Sequence, residues 1–209
     1  MNSLYNLPNL LTFSRIVLIP FFVLCFYLPV EWGTKAATVI FMLAAFTDWL
    51  DGFLARRWQQ TSALGAFLDP VADKLMVAAA LVLIVQTDPE YWLALPALVI
   101  IGREIAISAL REWMAELGAR AHVAVSGIGK VKTAAQMGAI TLLIYGDDVV
   151  GIPVYLIGIV LLYIAVILTL WSMLIYLRAA WPQLKGQTDL PALQKGGETG
   201  LTHSSESIE

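Results

Sequence analysis

Asp48-Trp49-Leu50-Asp51-Gly52-Phe53-Leu54-Ala55-Arg56, then eight residues, then Gly65-Ala66-Phe67-Leu68-Asp69-Pro70-Val71-Ala72-Asp73: this stretch sets four aspartates inside sequence that otherwise reads as membrane. A carboxylate at the centre of a bilayer costs roughly 2.5–3.5 kcal/mol on insertion scales, and four together repel one another. Such a cluster persists only with a cation among the acids. Asp48 and Asp51 are three residues apart, Asp69 and Asp73 four apart, so each pair shares one helix face. A tight turn at residues 59–62 predicts two antiparallel neighbouring helices with the carboxylate pairs opposite each other. Asp48 lies 13 residues before Thr61 and Asp73 lies 12 after it, so their depths match.

The surrounding chain has the same character. Of 209 residues, 59% are hydrophobic and only 14% charged, against roughly 45–50% and 25% for soluble domains; mean hydropathy is +0.75. The expected fold class is all-α, a polytopic membrane bundle of six transmembrane helices. A helix needs about 20 residues to cross the hydrocarbon. The predicted spans cover residues 10–30, 35–57, 62–86, 91 towards 116, 131–145 and 154–176, the last an unbroken apolar run. Turn signals separate them at Glu31-Trp32-Gly33, residues 59–62, Asp88-Pro89 and residues 146–153. Residues 111–130 form the longest connector, with a helical look over 112–120. Residues 1–181 read as one transmembrane domain, and 182–209 as a polar, disordered cytoplasmic tail. The run 16–30 is read as a retained span, because no small-residue cleavage site follows it and Glu31 flanks it. The single Cys25 excludes an intramolecular disulfide and is read as packing, and a net charge of −3 gives no reason to expect a nucleic-acid partner.

Charge asymmetry sets the orientation. Arg56, Arg57, Arg111, Arg120, Lys130, Lys132, Arg178 and Lys185 fall on one side. The other side has Lys35 with Glu31, Asp88, Glu90, Asp147 and Asp148. The positive-inside rule therefore places both termini in the cytoplasm, with the aspartates near the cytoplasmic ends of the second and third helices.

Four converging carboxylates suit hard cations, Mg2+ or Mn2+. Two ions about 3.5–4 Å apart would clamp a phosphoryl group. The absence of His and Cys from the stretch argues against zinc. Gly52, Ala55 and Gly65 allow close approach of helices or of a ligand. Arg56 could hold a diphosphate. A second set of cations reads as the site for a phosphate-bearing acceptor. Arg103 and Glu104 lie within an apolar helix, Arg111 follows eight residues later on the same face, and Lys130 and Lys132 stand at the start of the fifth helix. Glycerol 3-phosphate fits these cations better than serine; inositol phosphate would use the same ones. The bland alternatives are that Arg103–Glu104 or Arg111 is a structural ion pair and that the lysines only set topology. His122 and His203 lie in polar segments and receive no role. A different class also stays open, a divalent-cation transporter, because intramembrane acids mark ion paths as well.

The pattern D-x2-D-G-x2-A-R-x8-G-x3-D-x3-D, here Asp48, Asp51, Gly52, Ala55, Arg56, Gly65, Asp69 and Asp73, resembles position by position the signature of the CDP-alcohol phosphotransferase family. The opening stretch 7–15, Leu-Pro-Asn-Leu-Leu-Thr-Phe-Ser-Arg, looks like that family's first helix. Gly102-Arg103-Glu104, the segment 111–116 and the segment 129–133 resemble its branch acting on CDP-diacylglycerol and glycerol 3-phosphate. The resemblance covers the chain to about Ala180. It implies that Asp48, Asp51 and Asp69 hold metal, and that Asp73 is the base and sometimes a ligand. It implies that the donor lies against Thr12, Asp51, Gly52, Ala55, Arg56 and Gly65. It further implies transfer of the phosphatidyl group to glycerol 3-phosphate with release of CMP, two divalent ions, a homodimer among membrane lipids, and a bacterial inner membrane with the site facing the cytoplasm.

Overall fold

The computed structural model describes residues 7–58, 63–116 and 126–186. They form six α-helices and no strand: α1 (Leu7–Tyr27), α2 (Gly33–Trp58), α3 (Ala63–Thr87), α4 (Tyr91–Glu116), α5 (Ser126–Tyr145) and α6 (Val154–Gly186). The all-helical expectation holds. Three helices contain windows long and apolar enough to cross a membrane, over Leu10–Tyr27, Tyr91–Ala115 and Val154–Arg178, with mean hydropathies of 2.1, 1.9 and 2.6. The other three carry most of the acids and lysines of the candidate site, which is why their hydropathy is lower.

Several boundaries differ from the sequence expectation, each for a local reason. α1 stops at Tyr27 because Pro29 keeps Leu28 out of helical geometry. The chain then folds back through hydrogen bonds from Leu28 N to Cys25 O (3.3 Å) and from Gly33 N to Val30 O (2.9 Å). Gly33 starts α2 with no side chain by necessity, since a Cβ there would meet the carbonyl oxygens of Leu28 and Cys25 at 2.8 and 2.9 Å. α5 begins at Ser126, five residues before the expected Val131, so Lys132 lies in its second turn rather than at its start. α6 runs on to Gly186, past the expected end at Tyr176 and through Pro182, where the tail was expected to begin. Residues 117–125 and 187–209 lie outside the described residues, and with them the second half of the expected 112–120 helix, His122, His203 and most of the tail; the first half of that helix, 112–116, is the end of α4.

The helices alternate in direction. At one end of the bundle the Tyr27 hydroxyl donates to Gln86, the Tyr155 hydroxyl donates to Asp88, and Lys35 pairs with Asp147 at 3.6 Å. These contacts gather the ends of α1 and α3, the starts of α2 and α6, and the α3–α4 and α5–α6 turns. At 1.5 Å rise per residue, Arg15 is about 18 Å from that end along α1, and Asp48 and Asp73 are each about 20 Å from it along α2 and α3. Matching depth on three helices is what allows their charges to meet.

α1 lies against both α2 and α3, which touch each other only narrowly. The expected meeting of α2 and α3 at their acids holds, since ligand oxygens of Asp48 and Asp51 lie with one of Asp69 within 4.8 Å, but α1 wedges in beside them and shares a wider contact with each among the described residues. α5 packs on α6 and α2, and α4 packs on α6 and α3. Phe22, Phe41, Leu81, Leu93, Ile100, Ile140 and Leu162 fill the core. Cys25, half-buried and free, packs against it. Large apolar side chains such as Phe21, Met42, Leu98, Ile167 and Trp171 face outward, as on a surface whose solvent is lipid.

Candidate active site

Asp48 and Asp51 stand on α2 and Asp69 on α3, and one ligand oxygen from each lies within 4.8 Å of the others. Their counter-charge comes from α1. Arg15 Nη1 donates to Asp48 Oδ1 at 2.8 Å and to Asp69 Oδ1 at 3.1 Å, and Nη2 donates to Asp51 Oδ2. The Arg15 side chain is 1% exposed and Asp51 4%, whereas Asp48 and Asp69 are 38% and 40% exposed. The guanidinium therefore forms the floor of the cluster, and the two outer carboxylates open outward. A buried arginine among three acids is costly to form and more costly to break. The cation demanded by the sequence is thus the protein's own. The residues also fit a divalent metal: three carboxylates from two helices converge on one point and already hold a positive group, and oxygen-only donors suit a hard cation.

Arg15 received no role from the sequence, although a lone charge within an apolar helix is itself a signal. What hid its partners is that they lie 33, 36 and 54 residues away. Thr12, one turn before it, is also buried. Gly65 lies in the first turn of α3. Gly52, Ala55, Arg56 and Lys130 fall within α2 and α5, but their side chains lie outside the described residues.

Asp73 does not join the three-carboxylate group. One turn deeper on α3, it lines a small cleft with Arg15, Ala44 and Met76, and also a larger cavity of about 240 Å³. That cavity brings together Lys74, Arg103, Glu104, Arg111 and Lys132 from α3, α4 and α5, with Gln136 on α5 and Ser172 and Tyr176 on α6. The predicted cations Arg103, Arg111 and Lys132 do converge. Lys74, Gln136, Ser172 and Tyr176 were missed, because nothing local distinguishes them; only the packing of four helices turns them to one space. Arg103 pairs with its neighbour Glu104, and Lys132 Nζ donates to the same Glu104 oxygen at 2.9 Å. The ion pair left open by the sequence therefore forms, and it forms inside the cavity. Counting Lys74, Arg103, Arg111 and Lys132 against Asp73 and Glu104, the lining has four cations and two acids. An anion is its natural guest.

A carboxylate triad fit for metal and a basic cavity thus lie side by side, with Asp73 lining the space between them. The family model described as CDP-alcohol phosphatidyltransferase matches residues 5–171. This chain belongs to that family. Its members generally use a divalent metal, in keeping with the acidic triad. The chain is 59% identical over 179 residues to the CDP-diacylglycerol–glycerol-3-phosphate 3-phosphatidyltransferase of Yersinia pestis (strain Pestoides F), covering 86% of this chain and 97% of that protein. It is 58% identical over 183 residues to the protein of the same name from Shigella flexneri serotype 5b (strain 8401), covering 88% and 99%. The transporter reading gives way to an enzyme.

Proposed function

We propose that this enzyme transfers the phosphatidyl group of CDP-diacylglycerol to glycerol 3-phosphate, giving phosphatidylglycerophosphate and CMP. The observation that carries this reading is the position of Asp73, which lines the space between the Arg15-bound carboxylates and the basic cavity. The names of the relatives support the same donor and acceptor.

Asp48, Asp51 and Asp69, with Asp73 as an occasional fourth ligand, would hold two Mg2+ or Mn2+ ions. Bound there, such ions neutralise the diphosphate and the charge that develops as its bridging bond breaks. The donor nucleotide lies against Thr12, Asp51, Gly52, Ala55, Arg56 and Gly65. Arg103, Arg111, Lys130 and Lys132, joined by Lys74, bind the acceptor's phosphate and aim its hydroxyl at the donor. Asp73 takes the hydroxyl proton as general base. The acceptor oxygen attacks the phosphorus on the lipid side, a new P–O bond forms, the bond to CMP breaks, and CMP leaves with the pair.

On this reading residues 1–181 form a transmembrane domain of six spans, and 182–209 a cytoplasmic tail. Both termini and the site face the cytoplasm of a bacterial inner membrane, and the enzyme works as a homodimer among lipids. The test is CMP release by purified protein given CDP-diacylglycerol and one acceptor at a time. Glycerol 3-phosphate is expected to support turnover, and inositol phosphate and serine to give none above background. Turnover with inositol phosphate and none with glycerol 3-phosphate would replace the acceptor.

A further inference from the structure

Arg103 is held in the cavity wall by partners on α4 and α6. Its side chain is 9% exposed. Nη1 donates to Glu104 Oε1, which also accepts from Lys132 Nζ at 2.9 Å. Nη2 donates to Ser172 Oγ at 2.9 Å, across 69 residues of sequence. Ser172 is itself 2% exposed, and its hydroxyl donates to the Thr169 carbonyl at 3.0 Å. A serine hydroxyl has one proton. With that proton committed to Thr169, only lone pairs face Arg103, so the serine acts there solely as an acceptor. The guanidinium plane is fixed from both sides, by an acid on its own helix and by a hydroxyl on α6.

One donor stays over. Arg103 Nε is buried and has no hydrogen-bond partner among the described residues. Arg103 lines a cavity with an excess of cations, which selects an anionic guest. We propose that Ser172 is a positioning residue for the acceptor. By locking Arg103 through Nη2 it holds the guanidinium at the cavity wall in the orientation that meets the acceptor's phosphate. This rests on the assignment of Arg103 to acceptor binding. It adds a residue from α6, whose sequence reads as featureless apolar span.

A lock of this kind acts on acceptor affinity and not on the transfer step, so the test is a split of kinetic constants. CMP release is followed in wild type, Ser172→Val and Ser172→Thr. Glycerol 3-phosphate is varied at saturating CDP-diacylglycerol, and then the donor is varied at saturating acceptor. Thr keeps the hydroxyl and can still donate to the carbonyl one turn back, whereas Val has the same shape without it. The KM for glycerol 3-phosphate is expected to rise about tenfold in S172V and to stay within about twofold of wild type in S172T. The kcat and the donor KM stay within about twofold in both. Ser172→Ala, which removes the hydroxyl without adding bulk, reproduces the S172V result and serves if valine perturbs folding. An unchanged acceptor KM in well-folded S172V and S172A overturns the proposal. So does an equal rise in both KM values, which marks a merely structural serine. Absence of turnover in wild type with glycerol 3-phosphate is a different failure: it removes the acceptor assignment, and this proposal with it.

Discussion

Arg15 is the only charged residue between Leu7 and Tyr27, and it answers the energetic question posed by the aspartates. Three carboxylates at membrane depth would repel one another and expel water poorly; a guanidinium shared among them offsets both costs. Removing it leaves three acids facing one another. Arg15→Gln is therefore expected to lose about 3–5 kcal/mol of stability, read as a lower melting temperature of the purified protein in chelator. Mn2+ should then raise the melting temperature of R15Q by more than it raises that of wild type, because the metal supplies the missing charge. Equal melting of the two proteins in chelator would contradict the role assigned to Arg15. At this scale the carboxylates were legible, because their three- and four-residue spacing is local. The counter-ion was not, because nothing in a helix tells it which distant helix it will touch.

Helix packing turns on where small residues fall. Gly158 is buried between α5 and α6, and a Cβ there would meet Leu143 Cγ at 2.9 Å and Leu142 Cβ at 3.2 Å. These atoms sit near their backbone and yield little. Gly158→Ala should push α6 off α5 and cost about 1–3 kcal/mol. Gly102, exposed on α4, has nothing within 4 Å of the same position. Gly102→Ala should be neutral or should stabilise the protein by up to about 1 kcal/mol through helix propensity. Parallel melts of the two variants check the contrast, and similar shifts would sink it. Gly52 and Gly65 drew attention in the sequence because they sit among the acids. Gly158 did not, since its neighbours Leu142 and Leu143 come from another helix. Likewise the start of α5 at Ser126 was missed because its first turn, Ser126-Gly127-Ile128-Gly129, is weakly helical by composition.

For the whole molecule, the alternating helices put Lys35, Asp88 and Asp147 at one end and the site about 20 Å from it along the helices. With the excess of Lys and Arg on the site side, the positive-inside rule predicts that the acidic end faces outward. In a Cys25→Ala background, Asp148→Cys in the α5–α6 turn is expected to react with a membrane-impermeant maleimide in intact cells. Glu112→Cys near the end of α4 should react only after permeabilisation. The reverse pattern would invert the molecule in the membrane. Both positions are exposed, so failure to label reflects the membrane and not burial.

The sequence by itself determined the all-helical class, the number of helices, the metal-fit carboxylates and the family. Each of these is written in local terms: apolar runs of a set length, acids at helical spacing, and a fixed pattern over residues 48–73. Tertiary structure alone decided that Arg15 compensates the triad, that Asp73 stands apart from it beside a second cavity, and that Ser172 holds Arg103. These facts depend on which faces of α1, α4 and α6 meet α2, α3 and α5. Burial and charge pairing choose those faces only when the helices pack together.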